Sequence, residues 1–136
     1  DRETREKMSK KQQTGDDTKF GPFTAGAARA ACGEGGGWLD ALLRYLDGNR
    51  ATLESELAGT GIRVTPLEGT YLAWLDFRNT GIAPEALREK MLRETGVWLN
   101  AGETFGTGGA GFQRMNLATQ RSRLLEACSR IKRAFS

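Results

Sequence analysis

Leucines recur at three- and four-residue intervals between Trp38 and about Leu57, and charged residues lie largely off the stripe that they form. The leucine stripe comprises Leu39, Leu42, Leu43, Leu46, Leu53 and Leu57. This spacing is the period of one helical face. The pattern therefore predicts a long amphipathic helix whose leucine face packs against an apolar surface.

Three further helices are predicted from composition and spacing. An alanine-rich helix covers Ala25 to Cys32 and ends where glycines begin at Gly33, because glycine disfavours helix. A second helix begins at Pro84 and ends at Gly96, since proline suits a first turn and glycine suits a left-handed C-cap. The last helix is capped by Thr119. Its apolar stripe comprises Leu124, Cys128, Ile131 and Phe135.

Two segments rich in β-branched and aromatic residues predict strands, at Ile62–Thr65 and Thr70–Phe77. A short strand is predicted at Val97–Asn100, and Phe112–Leu117 is strand-like. The first two are separated by a turn-like Pro-Leu-Glu-Gly and should pair as antiparallel neighbours. Helices and antiparallel strands mix without a regular βαβ rhythm. The predicted fold is therefore α+β, with a small mixed or antiparallel sheet of roughly four short strands covered by helices.

The length of 136 residues is typical of one domain, so residues 1–136 are predicted to form a single small domain with one core. A composition of 38% hydrophobic and 27% charged residues is ordinary for a globular protein. Residues 1–19 carry charges of both signs and almost nothing apolar. They are interpreted as a charged lead-in segment, a short exposed helix that fades into a loop.

The charge balance does not favour nucleic acid or a membrane as a partner. Twenty basic and seventeen acidic residues leave a net charge of only +3. The longest apolar runs, such as Tyr71–Leu75, are far shorter than the roughly 20 residues that span a bilayer. A cytoplasmic location is expected.

Cysteine and histidine usage argues against metal and thiol chemistry. The two cysteines, Cys32 and Cys128, form no CxxC motif, and the chain has no histidine, so neither a zinc site nor a Cys-His nucleophile is predicted. Both cysteines are interpreted as small buried apolar residues. The tryptophans Trp38, Trp74 and Trp98 are likewise interpreted as core packing rather than as a stacking surface for a ligand.

A glycine-rich segment satisfies GxGxxG with Gly106, Gly108 and Gly111. The dinucleotide fingerprint requires a strand before the glycines and a helix N-terminus after them to receive the pyrophosphate. Here the glycines precede the strand-like stretch FQRMNLA. A dinucleotide site is therefore not predicted, and the segment is interpreted as a loop.

Arg114 lies within a predicted strand that also carries Phe112 and Met115, unlike the arginines on polar helical faces. A charge in that environment needs a partner. One interpretation is an internal salt bridge, for example with Asp76 on a neighbouring strand. The other is that the guanidinium receives a ligand carboxylate through two parallel hydrogen bonds, with nearby glycines permitting close approach.

Four blocks of sequence carry a family resemblance. They are GWLDALLRYLDGNRATLESEL (37–57), PLEGTYLAWLDFR (66–78), GVWLNAGETFGTGGAGFQRMNLA (96–118) and RSRLLEACSRI (121–131). In order and spacing they resemble the C-terminal portion of class I and II aminotransferases. Within that family they are similar to the cystathionine β-lyase-like branch, which also contains the maltose-regulon modulator. The resemblance extends from about residue 1 to residue 134.

The resemblance implies the small C-terminal domain of a fold-type-I enzyme that uses pyridoxal 5'-phosphate. In this family the arginine of the GFxRxN block binds the α-carboxylate of the substrate, and that position is Arg114 here. Phe105 and Gly106 are implied to lie beside the substrate, and Asn116 follows the arginine on the same strand. No catalytic and no cofactor-binding residue is implied within this chain.

The resemblance also implies partners that this chain lacks. The lysine that holds pyridoxal 5'-phosphate lies in a large domain upstream, so the chain alone is expected to be inactive. The implied activity of the intact enzyme, a homodimer, is C–S β-lysis of cystathionine or cysteine conjugates. An aminotransferase that acts on an amino acid is the alternative, and so is a detached domain that serves as a binding or regulatory module.

Overall fold

The computed structural model describes residues 3, 4, 6, 7 and 21–135. The predicted lead-in helix and loop over residues 1–19 therefore lie largely outside the described residues, although residues 3, 4, 6 and 7 are helical. The chain divides into two compact units, one up to Ala41 and one from Leu42 onwards.

The first unit contains helix α1 (Pro22–Glu34) and the first residues of helix α2 (Gly36–Leu57). Glycines were predicted to end α1 at Gly33, but the helix continues to Glu34 and only Gly35 separates it from α2. Glycine costs about 1 kcal/mol relative to alanine inside a helix, which weakens a helix without preventing it. The Leu39 amide donates to the Gly35 carbonyl, so α2 begins directly after the break.

The second unit contains a four-stranded sheet of β1 (Arg63–Val64), β2 (Leu72–Asp76), β3 (Asn100–Ala101) and β4 (Phe112–Asn116). Every pairing is antiparallel, in the spatial order β1-β2-β4-β3. The α+β prediction and its roughly four short strands are confirmed.

Helices cover this sheet. After β2 the chain forms α3 (Pro84–Lys90), which widens into a π-helical turn at Met91–Thr95. Gly96 then adopts φ 65°, the left-handed C-cap that the sequence predicts. The last helix is α4 (Arg121–Phe135).

The core lies between one face of the sheet and these helices. Along β2, Ala73 and Leu75 are buried, whereas Trp74 between them is only half-buried. The core residues from other elements are Leu53, Leu57, Ile62, Phe77, Leu87, Met91, Met115, Leu117, Leu124, Cys128 and Ile131. Because side chains alternate along a strand, the opposite face of the sheet is left partly open.

Several residues that the sequence assigns to the core are exposed within the described residues. Trp38 and Trp98 are 70% and 71% exposed, so the core interpretation is wrong for both. Cys32 is exposed as well, whereas Cys128 is fully buried, and burial raises the pKa of the Cys128 thiol to about 11. Leu39 and Leu43 are also exposed, so α2 buries only the later part of its predicted stripe.

The cap of α4 comes from another helix instead of from Thr119. The Arg121 amide donates to Tyr45 Oη at 2.9 Å, and the Tyr45 hydroxyl donates to the Thr119 carbonyl at 3.1 Å. Asn49, fully buried on α2, donates through Nδ2 to the Leu117 and Thr119 carbonyls at 2.8 and 3.1 Å. These bonds fix the chain directly after β4.

Asn49→Ala should lower the free energy of unfolding by about 2 kcal/mol, because it removes a buried donor to the carbonyls of Leu117 and Thr119 and takes the acceptor Oδ1 away from Arg121 Nε. Urea unfolding of the protein measures this loss. Asn79→Ala is the control, since Asn79 is exposed, and it should change stability by less than about 0.5 kcal/mol. Equal effects of the two substitutions would contradict the role given to Asn49.

Candidate carboxylate-binding site

Three residues form a row across the open face of the sheet. Arg114 in the middle of β4 pairs with Trp74 on β2 and with Asn100 on β3. Residues directly opposite one another in antiparallel strands place their side chains on the same face. Arg114 therefore stands between an indole and an amide on the face of the sheet opposite the buried core.

The guanidinium of Arg114 is half-buried and has no carboxylate partner among the described residues. Its Cζ lies 4.2 Å from the ring centroid of Phe105, and Nη2 reaches Asn100 Oδ1 only at 3.5 Å. Its Nε is buried and has no hydrogen-bond partner among residues 21–135 or the other described positions. A buried N–H without an acceptor is costly and rare in folded proteins. This arginine is therefore positioned to receive an acceptor that the described residues do not supply.

Asp76 is not that acceptor, although the sequence allowed it as an internal partner. It accepts hydrogen bonds from Arg78 Nε and Nη2, both at 2.8 Å, and from Arg63 Nη2 at 3.0 Å. These bonds, those from the Arg78 side chain above all, hold the pKa of the Asp76 carboxyl well below its usual range. The salt-bridge interpretation of Arg114 with Asp76 is therefore wrong.

Asp76→Asn should lower the free energy of unfolding at pH 7 by about 2 kcal/mol, because it removes a buried charge that accepts from two arginines. Since the pKa of Asp76 is depressed in the folded state, its contribution is present above about pH 4, the pKa of a free carboxyl, and is lost below it. The difference between wild type and variant should therefore shrink as the pH falls from 7 to 2.

Chemical denaturation across that pH range measures the difference. Asp47→Asn is the matched control, because Asp47 is exposed and pairs only along α2 with Arg50. Its effect should stay below about 1 kcal/mol. A difference for Asp76→Asn that does not change with pH would contradict the assignment.

The glycine-rich segment folds into a compact loop that holds Phe105 over Arg114. It contains two short 3₁₀ turns, Gly102–Phe105 and Thr107–Gly109. A Cβ on Gly109 would overlap the Gly102 carbonyl oxygen, and a Cβ on Gly102 would overlap the Gly109 carbonyl oxygen. The two backbones touch, so the glycines close the loop sterically. As predicted, the segment runs into strand β4 and not into a helix.

Gly106 separates the two turns with φ 134° and ψ 173°. This region is essentially restricted to glycine, because a Cβ would clash with the backbone there. The reversal at Gly106 directs the chain back after Phe105. The ring is therefore left exposed on its outer side, and 49% of the residue is accessible to solvent.

A pocket of about 350 Å³ lies beside Phe105, and we call it the aromatic pocket. It is lined by Thr65, Trp74, Gly102, Phe105, Gly106, Gly108, Gly109 and Phe112. Trp74 meets Phe105 and Phe112 edge to face, with ring centroids 5.3 and 6.4 Å apart. None of the lining residues carries a charge.

The structure brings together Arg114, Phe105 and Gly106 among the residues that the sequence selects. Asn116 lies two residues further along the same face, but its Oδ1 accepts from the Ala118 amide at 2.8 Å and forms the turn after β4. Sequence reasoning missed Asn100, and it placed Trp74 in the core. The alternation along β2 could have identified Trp74, because both of its neighbours are small or aliphatic and it alone has a polar edge.

Residues 14–131 match the family described as aminotransferase class I and II. The chain belongs to this family. The match covers nearly all of the second unit and agrees with the resemblance of the four sequence blocks.

Two relatives and one solved structure show what this chain is similar to. It is 34% identical over 140 residues to the cystathionine β-lyase PatB of Bacillus subtilis, covering 100% of this chain and 36% of that protein. It is 41% identical over 106 residues to the cystathionine β-lyase of Corynebacterium glutamicum, covering 77% of this chain and 28% of that protein.

The solved structure is cystalysin from Treponema denticola, which contains pyridoxal 5'-phosphate. It superposes with a TM-score of 0.83 at 30% identity, over 96% of this chain and 34% of that one. The chain spans about a third of the length of the curated relatives that it matches.

No helix among the described residues has the length and apolar character required to cross a membrane. Within the same residues, no group of three or more aspartate, glutamate or cysteine side chains is arranged to hold a metal ion.

Proposed function

We propose that this chain is the carboxylate-binding small domain of a pyridoxal-phosphate enzyme that cleaves the Cβ–S bond of a cysteine thioether. The observation that carries the proposal is Arg114, a half-buried arginine whose Nε has no acceptor among the described residues. The relatives named cystathionine β-lyase support the reaction class. An amino-acid substrate supplies the α-carboxylate that the arginine lacks.

The residues around the site do not fit the covalent attachment of pyridoxal phosphate. That cofactor is held through a lysine, and none of the lysines that the structure describes lines the aromatic pocket. Lys90 is engaged with Glu94 on the helical side of the fold. We therefore assign the cofactor, its lysine and the proton transfers at Cα to a large domain outside this chain, and we expect a homodimer when that domain is present.

The contribution of this chain is binding and orientation. The planar guanidinium of Arg114 matches both oxygens of a carboxylate. The Phe105 ring stacked against it limits the positions that the guanidinium can adopt. A fixed carboxylate fixes the rotation of the substrate about Cα. Holding the reacting bond in one orientation contributes to rate by proximity, because the geometry is set before the reaction begins.

The overall reaction consumes one water. A cysteine thioether loses its Cα proton and its Cβ–S bond, the sulfur leaves with a proton as a thiol, and hydrolysis of the remaining three-carbon unit yields pyruvate and ammonium. No oxidant or reductant is required. An aminotransferase would instead move the amino group to a 2-oxo acid and leave the Cβ–S bond intact.

The test is turnover by the full-length protein that contains this chain. We expect pyruvate and thiol to appear in equal amounts from cystathionine or an S-substituted cysteine, together with the visible absorbance of the bound cofactor. If the amino group is transferred to a 2-oxo acid without release of thiol, the activity is that of an aminotransferase and not of a lyase. If cofactor absorbance and turnover are both absent, the enzyme proposal is wrong and the detached binding module stands in its place.

A further inference from the structure

Phe105 lines the aromatic pocket and also stacks on the Arg114 guanidinium. On one side the Arg114 guanidinium lies 4.2 Å from its ring centroid, and on another the ring of Trp74 meets it at 5.3 Å. A ligand held by its carboxylate at Arg114 therefore has the opening of the aromatic pocket as its neighbour. On this chain, the aromatic pocket is the space beside Arg114 that can receive the part of the ligand beyond Cα.

The lining of the pocket selects against charge. Its polar side-chain groups are the Thr65 hydroxyl, which already donates to the Trp74 carbonyl at 3.3 Å, and the indole N–H of Trp74, and neither carries a charge. Two guanidinium groups border the pocket. Arg114 stacks on Phe105 at 4.2 Å and is taken by the α-carboxylate of the ligand, and Arg78 stacks on Phe112 at 4.6 Å and is held by Asp76. An ammonium or carboxylate placed against this lining would lose part of its water and meet no charged group among the lining residues, which is unfavourable.

The size of the pocket suits an aromatic or branched aliphatic group. Its volume of about 350 Å³ lies at the lower end of ligand-binding clefts, which hold roughly 300 to 1,000 Å³. A dry cavity of about 150 Å³ already admits benzene. Three aromatic side chains provide edges and faces against which a flat ring packs favourably.

We infer that the aromatic pocket binds the uncharged, apolar S-substituent of a cysteine thioether whose α-carboxylate is held by Arg114. The inference rests on the proposed function and specifies its substrate class. It distinguishes S-alkyl and S-aryl cysteines, whose leaving thiol is apolar, from cystathionine, whose leaving group carries an ammonium and a carboxylate. The enzyme is thus directed towards apolar cysteine conjugates.

The full-length holoenzyme tests this with three substrates that share the same cysteine core: S-benzylcysteine, cystathionine and S-carboxymethylcysteine. We expect kcat/KM for S-benzylcysteine to exceed that for each charged substrate at least tenfold, measured as pyruvate release. Comparable values of kcat/KM, or a preference for cystathionine, would overturn the inference without contradicting the proposed lyase activity. Release of pyruvate from none of the three would instead refute the proposed function.

A charge placed in the pocket supplies a second, independent measurement. Thr65→Lys should lower kcat/KM for S-benzylcysteine about tenfold and raise the ratio of S-carboxymethylcysteine to S-benzylcysteine turnover, since a cation then faces the carboxylate. Ser55→Lys adds the same charge on the exposed surface of α2 and should leave the ratio unchanged. A ratio that Thr65→Lys does not move would overturn the inference, and the comparison of wild-type substrates stands even if this variant does not fold.

Discussion

Arg114→Lys should reduce kcat/KM of the full-length enzyme for its amino-acid substrate by about 100-fold, the loss that a misplaced substrate typically produces. Lysine keeps the charge but offers one ammonium in place of a planar fork. It also loses the stacking of the guanidinium on Phe105, which fixes the position of the donor. The carboxylate would still be attracted but no longer oriented.

Steady-state kinetics separates this effect from a loss of folding. Substrate binding should weaken, seen as a higher KM, while the free energy of unfolding changes by less than about 1 kcal/mol, because the partly open face of the sheet tolerates a lysine. Arg44→Lys, an exposed substitution on α2, is the control and should match wild type. Wild-type KM and kcat/KM in the Arg114 variant would show that the carboxylate binds elsewhere.

Local periodicity was sufficient to predict most elements of the second unit. The strand-like stretch around Arg114 forms β4, and the stripe through Leu124 predicts α4 because it marks one buried helical face. The strand predicted at Val97–Asn100 is displaced to Asn100–Ala101. The Val97 amide donates to Thr95 Oγ1 at 3.0 Å, so this end of the segment belongs to the helix C-cap and not to the ladder.

The site was only partly predictable because its geometry is non-local. Resemblance to the family selects Arg114, but the residues beside it depend on the strand order β1-β2-β4-β3. Trp74 and Asn100 are 40 and 14 positions away along the chain, and no local pattern pairs them with the arginine. The exposure of Trp98 has the same origin, because the residue precedes β3 and lies beside Arg88 on the surface.

The glycine loop shows a second limit. Its composition predicts a loop, but composition does not distinguish glycines that are needed for close approach from those that are not. Gly102 and Gly109 touch backbone to backbone, whereas a Cβ on Gly108 would meet nothing within 4 Å. The functional consequence is the placement of Phe105, which forms part of both the arginine site and the aromatic pocket.

Gly109→Ala should therefore lower the free energy of unfolding by about 3 kcal/mol, the upper range for overpacking, because the added methyl overlaps the Gly102 carbonyl. Rigid backbone lies on both sides, so relief requires the loop to open. Opening moves Phe105 away from the Arg114 guanidinium. Since the guanidinium then no longer holds the carboxylate in one orientation, kcat/KM of the full-length enzyme should fall by a factor of about ten or more.

Gly108→Ala is the matched control, since it adds the same methyl one residue earlier in the same turn. It should change stability by less than about 0.5 kcal/mol and leave kcat/KM within about twofold of wild type. Urea unfolding and the turnover assay measure both variants. If the two alanines behave alike, the contact between Gly102 and Gly109 does not close the loop, and Phe105 must be held over the guanidinium by its packing against Trp74 alone.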